Sequence, residues 1–394
     1  MTGNESAHGA YRYDVCIVAL KCWDYFNKAP NPRYIGGIER DMVTLALLLA
    51  KQGLRVAALT YDEGQGDCVT VDGVDVFSTF KHSGGLPGIR FVHPRGTAMV
   101  AALRRVRARN IIQMGAGVLT GWTALACRQT SPPMQFIFMA GSDGDCTPEL
   151  PFLPRARERW LYRFGLPRAD VVVTQTVGQA ALMRENFGFE SEVIRLPSQL
   201  PESSDSSDTR NAGEPDPERR LRFLWVGRLD PIKRPQWLFD CALAVPQHDF
   251  ELAGSSNKDD PFEASMLEEA AKVPNLKLLG RVAPDQMAVL YQRADVLLCT
   301  SELEGFPATF LESLANATPI ITTFDAGGFV AQYGAGAVVT SQQALEKIVS
   351  DPALASKLGD WKARAAQLYA SELAPEIGTG KVMRLLNLER AGTT

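Results

Sequence analysis

Asp295-Val296-Leu297-Leu298-Cys299-Thr300-Ser301-Glu302-Leu303-Glu304-Gly305-Phe306-Pro307-Ala308-Thr309-Phe310-Leu311-Glu312 runs from an unbroken apolar stretch through a short turn into a helix-like pattern. The apolar stretch reads as a strand buried on both faces, which belongs to a parallel sheet covered by helices. Ligands of open sheets of this kind bind beyond the carboxyl ends of the strands, so Glu304 falls in a binding loop. Pro307 suits the first turn of a helix, where no amide hydrogen is missed, and Gly305 and Phe306 then form the turn. Phe310, Leu311 and Leu314 give that helix an apolar face. The helical neighbours of Glu312 are Ala308, Thr309, Ala315 and Asn316, all small or polar, which predicts a carboxylate that a polar ligand can reach.

The same alternation of short β-type runs and amphipathic stretches begins at residue 12, the signature of βαβ units. Tyr13 to Ala19 is the first expected strand, Gly36-Gly37 opens a helix to about Gln52, and Arg55 to Thr60 is the next strand. Further strands are expected near 110–113, 134–138, 169–174 and 192–195, with helices near 97–108, 117–129, 153–164 and 177–187. Leu221 to Val226 restarts the pattern, which continues to about Val339, followed by helical stretches at 341–350 and 353–370. Between the halves, residues 198–219 are dominated by serine, acids and proline and carry too little apolar surface to offset their ordering entropy. The expected organisation is an α/β domain at 11–197, a flexible linker at 198–219 and a second α/β domain at 220–372. Within 373–394, an amphipathic stretch from Val382 to Leu388 is suited to packing back on the first domain.

A chain of 394 residues fits two domains, and none of its apolar runs reaches the ~18 residues of a membrane span. The segment Met1 to His8 has neither a basic start nor an apolar core, so it reads as a short disordered tail rather than a secretory signal. Seven scattered cysteines without a Cys-x-x-Cys pair argue against a disulfide framework or zinc site and fit a reducing cytoplasm. Residues 1–200 carry 22 Lys and Arg against 18 Asp and Glu, while the remainder carries 19 against 27. No basic domain with base-reading elements is present, which excludes a nucleic-acid protein.

Beyond the strand at 221–226 the chain reads Gly227-Arg228-Leu229-Asp230-Pro231-Ile232-Lys233-Arg234-Pro235. Arg228 at a strand end and Lys233 at the start of the next helix suit a diphosphate, because guanidinium, ammonium and backbone amides favour the same charge. Taken alone, the two cations read more readily as surface residues. Gly36-Gly37 holds the corresponding position in the first domain, where glycine lets the backbone approach a ligand.

Gly227-Arg228-Leu229 with Lys233, Ala253-Gly254-Ser255, Leu279-Gly280-Arg281-Val282 and the Glu304 to Glu312 block together resemble the retaining enzymes of glycosyltransferase family 4. The resemblance spans nearly all of 221–322; over 13–197 it rests on the Gly36-Gly37 loop and on Arg168 to Thr176. It implies the GT-B architecture, two facing Rossmann-like domains with parallel sheets and a cleft between them, and transfer of a sugar from a nucleotide-sugar donor to a hydroxyl acceptor. It implies that Arg228 and Lys233 hold the donor diphosphate, that Glu304 contacts sugar hydroxyls and that Glu312 binds the ribose. Gly305, Phe306 and Pro307 would lie against the sugar and Arg281 and Val282 would flank the base, with Gly36, Gly37 and Gly254 also on the donor. An ionised carboxylate only accepts hydrogen bonds and so suits a vicinal diol. No cofactor or metal is implied, only a nucleotide sugar, UDP- or GDP-linked, as co-substrate.

Two departures from the family stand out. Many relatives carry a histidine near the donor sugar, where Phe138 to Asp145 has none, and Asp143 is the candidate for that place. Relatives also often carry Gly-Gly-x-x-Glu late in the second domain, but Gly327-Gly328 here is followed by Phe329, Val330 and Ala331. Asp143-Gly144-Asp145 matches the Asp-x-Asp of metal-binding sites, yet a metal reading leaves Arg228, Lys233, Glu304 and Glu312 unexplained. The four histidines are scattered and form no evident base or metal site.

Arg104 to Arg109 closes one helix, where cations complement the dipole. Arg155 to Phe164 interleaves cations and aromatics, and reads equally as a core helix or as a surface for an anionic membrane carrying a lipid-linked acceptor. That second reading adds contact with the inner face of the membrane to the cytoplasmic location expected from the cysteines. The rival functions are a nucleotide-sugar epimerase on the same scaffold, a non-catalytic partner of an active transferase, and a nicotinamide oxidoreductase. The last is discounted because no Gly-x-Gly-x-x-Gly follows the first strand.

Overall fold

The computed structural model describes residues 11–29, 33–34, 37–86, 88–196, 219–255, 260–302, 304, 306–325 and 328–386. The chain divides into two compact units, Met1–Gln199 with Pro375–Thr394, and Leu200–Ala374. Most of the expected 198–219 linker lies outside the described residues, as does the Met1 to His8 tail.

In the first unit, strands β1 (Tyr13–Val18), β2 (Val56–Thr60), β3 (Cys68–Val71), β4 (Val74–Ser78), β5 (Ala108–Met114), β6 (Gln135–Met139), β7 (Val171–Thr174) and β8 (Glu192–Val193) form one sheet. Their order is β3-β4-β2-β1-β5-β6-β7-β8. All neighbours are parallel except β3 and β4. That hairpin is absent from the expected element list. Its turn, Asp72-Gly73, has positive φ at both positions, the backbone that an Asp-Gly pair between alternating valines signals.

In the second unit, β9 (Arg222–Val226), β10 (Asp249–Ala253), β11 (Leu276–Gly280), β12 (Val296–Cys299), β13 (Ile320–Thr322) and β14 (Gly336–Val338) are arranged β11-β10-β9-β12-β13-β14. Every pair is parallel. Chain order therefore reverses between β9 and β12, and in unit 1 between β1 and β5. Loops after the strands that flank such a reversal diverge and leave a crevice at the sheet's carboxyl edge.

Both sheets are covered on both faces. Val296 and Leu298 of β12 enter one core and Leu297 the other, while Val15 and Ile17 part from Cys16 and Val18 in the same way. This is why these strands read as unbroken apolar runs. The C-terminal helix spans Pro375–Leu385, earlier than the expected 382–388, and sets Val382 in the core of unit 1 together with Leu386. The Asn110 side-chain amide donates to the Leu386 carbonyl at 3.3 Å.

Candidate functional site

At the β9/β12 reversal the two expected loops meet. The Lys233 ammonium forms an ion pair with the Glu304 carboxylate, and both side chains are mostly buried. Ser301 donates its hydroxyl to the same Glu304 oxygen at 2.6 Å. Lys233 does not open the following helix: it ends a 3-10 turn, Pro231–Lys233, whose first amide groups are capped by the Asp230 side chain, with Ile232 N donating at 3.0 Å. Arg228 is half exposed, 3.6 Å from Asp230, and so keeps most of its donors for a ligand.

A second set of contacts holds these loops together, and the sequence reading did not anticipate it. The Thr300 hydroxyl donates to the Lys233 carbonyl at 2.6 Å and accepts from the Trp225 indole at 2.9 Å. Arg234, held at positive φ, donates to the carbonyls of Thr300 at 2.8 Å and Ser301 at 3.0 Å, and lies 4.2 Å over the Trp237 ring. Arg234 is thus a strut rather than a ligand group. The only advance signal was position, since Trp225 and Thr300 sit at the ends of the two strands flanking the reversal.

Glycine brings the remaining strand ends close. Gly227 N donates to Ala253 O at 3.1 Å and Gly254 N to Gly280 O at 2.8 Å. Gly254 lies at φ +157°, and a Cβ there would collide with the Gly227 carbonyl oxygen. Arg281 follows as an exposed side chain, and Val282 packs partly into the core beside Phe306.

Glu312 and Pro307 depart from expectation here. Glu312 is only 4% exposed, and Tyr291 donates its hydroxyl to the carboxylate at 2.8 Å. The bulky neighbour comes from the helix Pro284–Arg293, which spacing along Glu312's own helix cannot reveal. Phe306 turns its ring into the core, edge-on to Phe329 at 5.4 Å, so its backbone rather than its ring is what a ligand can meet. Pro307 is the cap residue before the helix Ala308–Ala315 instead of lying within its first turn. Gly305 and Gly327 lie outside the described residues.

In unit 1, Gly37 begins the helix Gly37–Lys51, while Gly36 lies outside the described residues. Asp143 opens the 3-10 turn Asp143–Cys146 beyond β6, and burial raises its carboxyl above the ordinary range against the opposing influence of Gln179. Asp145 is buried and accepts from Gly141 N at 2.7 Å and Ser142 N at 3.2 Å. Its carboxylate thus ties the loop at its own turn. Among the described residues no three His, Cys, Asp or Glu side chains gather as metal ligands. A cavity of about 250 Å³ lined by Tyr11, Arg104 and Arg107 lies near the amino ends of β1 and β5, at the opposite end of the unit 1 strands from Gly37 and Asp143.

Residues 220–351 match the family model described as "Glycosyl transferases group 1", and residues 36–198 match "Glycosyl transferase 4-like domain". A D-inositol 3-phosphate glycosyltransferase of Corynebacterium urealyticum is 24% identical over 233 residues, 52% of this chain and 54% of that protein. The mannosylfructose-phosphate synthase of Agrobacterium fabrum is 28% identical over 187 residues, 42% of this chain and 40% of that protein. The matched part thus spans about half or less of these relatives' length. Among solved structures, sucrose-phosphate synthase of Thermosynechococcus elongatus superposes with a TM-score of 0.72 at 20% identity, covering 95% of this chain and 98% of that one. Anabaena HepE, solved in complex with UDP and glucose, gives 0.69 at 14% identity, covering 95% and 99%.

Proposed function

Because this chain belongs to the group 1, family 4-type glycosyltransferases of GT-B fold, we propose that it transfers a hexose from a nucleotide sugar to a hydroxyl acceptor with retention of anomeric configuration. The observation that carries the reading is the Lys233–Glu304 pair at the β9/β12 reversal, with Arg228 open beside it. A cation for phosphate and a carboxylate for hydroxyls stand together where the topology places a ligand.

In the proposed reaction the bond from the anomeric carbon to the diphosphate oxygen breaks and its electron pair leaves with the phosphate. Charge on that oxygen grows as the bond lengthens, so Arg228 and Lys233 stabilise the transition state more than the bound donor. The acceptor hydroxyl forms the new bond on the same face of the sugar, and its proton passes to the departing phosphate oxygen. Lys233 has three N–H donors, so it can keep Glu304 while taking phosphate oxygens. Glu304 in turn orients sugar hydroxyls. Arg281 and Val282 border the base, and Gly254 lets the β10 end approach the donor. The reaction needs no metal in this scheme, and its product is a glycoconjugate or polysaccharide.

Thermal shifts across UDP-, GDP- and ADP-sugars identify the donor, since a ligand that binds only the folded chain raises its melting temperature. With that donor, unchanged turnover in both Arg228→Ala and Lys233→Ala would sink the mechanism. Conversion of donor to an epimer without acceptor would replace transfer by epimerisation.

A further inference from the structure

Unit 1 carries a surface that the donor chemistry does not use. The helix Ala156–Gly165 buries Leu161, Tyr162 and Gly165. Leu161 packs on Gly121 of the helix Val118–Gln129, and the next residue of that helix, Trp122, packs on Gly96. The segment Phe91–Gly96 is therefore a neighbour of the helix Ala156–Gly165, and the Arg157 guanidinium lies 5.0 Å over the Phe91 ring.

Large apolar side chains of these segments and of the residues leading into them are exposed. Leu86 is 70% exposed, Ile89 59%, Phe152 54% and Trp160 63%, with Val92 also exposed. Trp160 stacks on Phe164 with ring centres 5.6 Å apart, which fixes the indole in an outward position. The exposed large apolar residues of unit 2, Ile232, Leu243, Leu267, Leu278 and Val338, lie on different elements.

Arginine outnumbers acid around these residues, where the acids are Glu149 and Glu158, and Arg159 and Arg163 also donate to the Leu153 and Pro148 carbonyls at 2.7 and 2.8 Å. Arg90, Arg155, Arg159 and Arg163 accompany the apolar residues, and 81–95 contains no Asp or Glu. Glu158 is engaged by Arg155 at 3.2 Å. Guanidinium groups flanking exposed Trp, Phe, Leu and Ile match a headgroup layer of phosphates over an acyl region. A symmetric contact with a second copy would instead set these arginines against one another.

We propose that this face docks on an anionic bilayer, with Trp160, Phe152, Leu86 and Ile89 at the headgroup boundary and the arginines on lipid phosphates. The docking stands independently of sugar transfer. It places the helix Ala156–Gly165 in both roles open to its sequence, since one face packs in the domain and the other meets lipid.

The test is sedimentation of the full chain with phosphatidylglycerol-containing vesicles and with pure phosphatidylcholine vesicles, at low and high salt. Binding to the anionic vesicles, weakened by salt, is expected. The double change Trp160→Ser with Phe152→Ser lowers that binding by at least about tenfold, while Leu243→Ser in unit 2 leaves it unchanged. Should the double variant misfold by circular dichroism, Arg155→Glu with Arg163→Glu carries the same expectation. Absence from both pellets, equal binding to neutral and anionic vesicles, or full binding by the folded variants overturns the proposal. So does a dimer in sedimentation velocity that these changes dissociate while no vesicle is bound, which assigns the face to a second copy.

Discussion

The two units share one strand order around their reversals, yet their loops are stabilised by opposite means. In unit 2 the loops after β9 and β12 are joined across the reversal by Lys233 with Glu304, Thr300 with Lys233, and Arg234 with Ser301. In unit 1 the loop after β1 is tied away from its reversal, toward β2: Arg33 binds Asp24 at 3.0 Å and also pairs with Glu63. At the reversal itself stand Gly115 after β5 and the apolar Ile38 side chain. Topology therefore selects the place in both units, but among the described residues it is unit 2 that fills it with paired charge. Fold fixes position and side chains fix chemistry.

The largest expected break comes from comparing strand-end glycines. Gly254→Ala should destabilise unit 2 by about 3–5 kcal/mol, because the new Cβ meets backbone at a positive φ. Gly115→Ala, where a Cβ would rest 3.7 Å from Ile38, should cost only about 1 kcal/mol for the left-handed backbone. Urea denaturation of both variants measures the pair, and equal losses would dissolve the contrast.

Next in size is Lys233→Ala. On the proposed mechanism this removes a donor to the leaving phosphate and should lower kcat by about 10²–10³-fold, read in steady-state kinetics at saturating donor. A change confined to KM would mean that Lys233 holds the ground state alone.

Tyr291→Phe should be milder, removing one buried hydrogen bond to Glu312 at about 1 kcal/mol. A rise in donor KM alongside that loss would tie Glu312 to the donor, whereas a loss of stability alone would leave it structural.

The smallest effect concerns Asp143 in unit 1. Its folded pKa is raised by burial, so its favourable contribution is complete below the ordinary carboxylate range and is lost as pH rises through the folded value. Asp143→Asn should consequently raise the melting temperature modestly at neutral pH and leave it unchanged near pH 3. A variant less stable at neutral pH would reverse the assignment.

The same contrast explains what was legible in the sequence. Strands β1, β9 and β12 announce themselves because burial on both faces requires continuous apolar runs. Arg228, Lys233 and Glu304 were legible because each closely follows such a strand, so chain position predicts spatial position. Tyr291 against Glu312, Arg234 on the Thr300 and Ser301 carbonyls, and the Phe306 ring in the core were not legible. Each depends on which face an adjoining element presents, a property of packing between elements rather than of period within one. The β3–β4 hairpin carried a local signal in Asp72-Gly73, but its strands are only four and five residues long and fall between longer periodic segments.

Val382 and Leu386, sealed into the core of unit 1, give the chain an order of assembly. All of Leu200–Ala374 is synthesised before these two residues leave the ribosome. Unit 2 can close as soon as its own strands exist, whereas the unit begun first is finished last. Until then, the place reserved for Val382 among the strands and helices of unit 1 stays open to water.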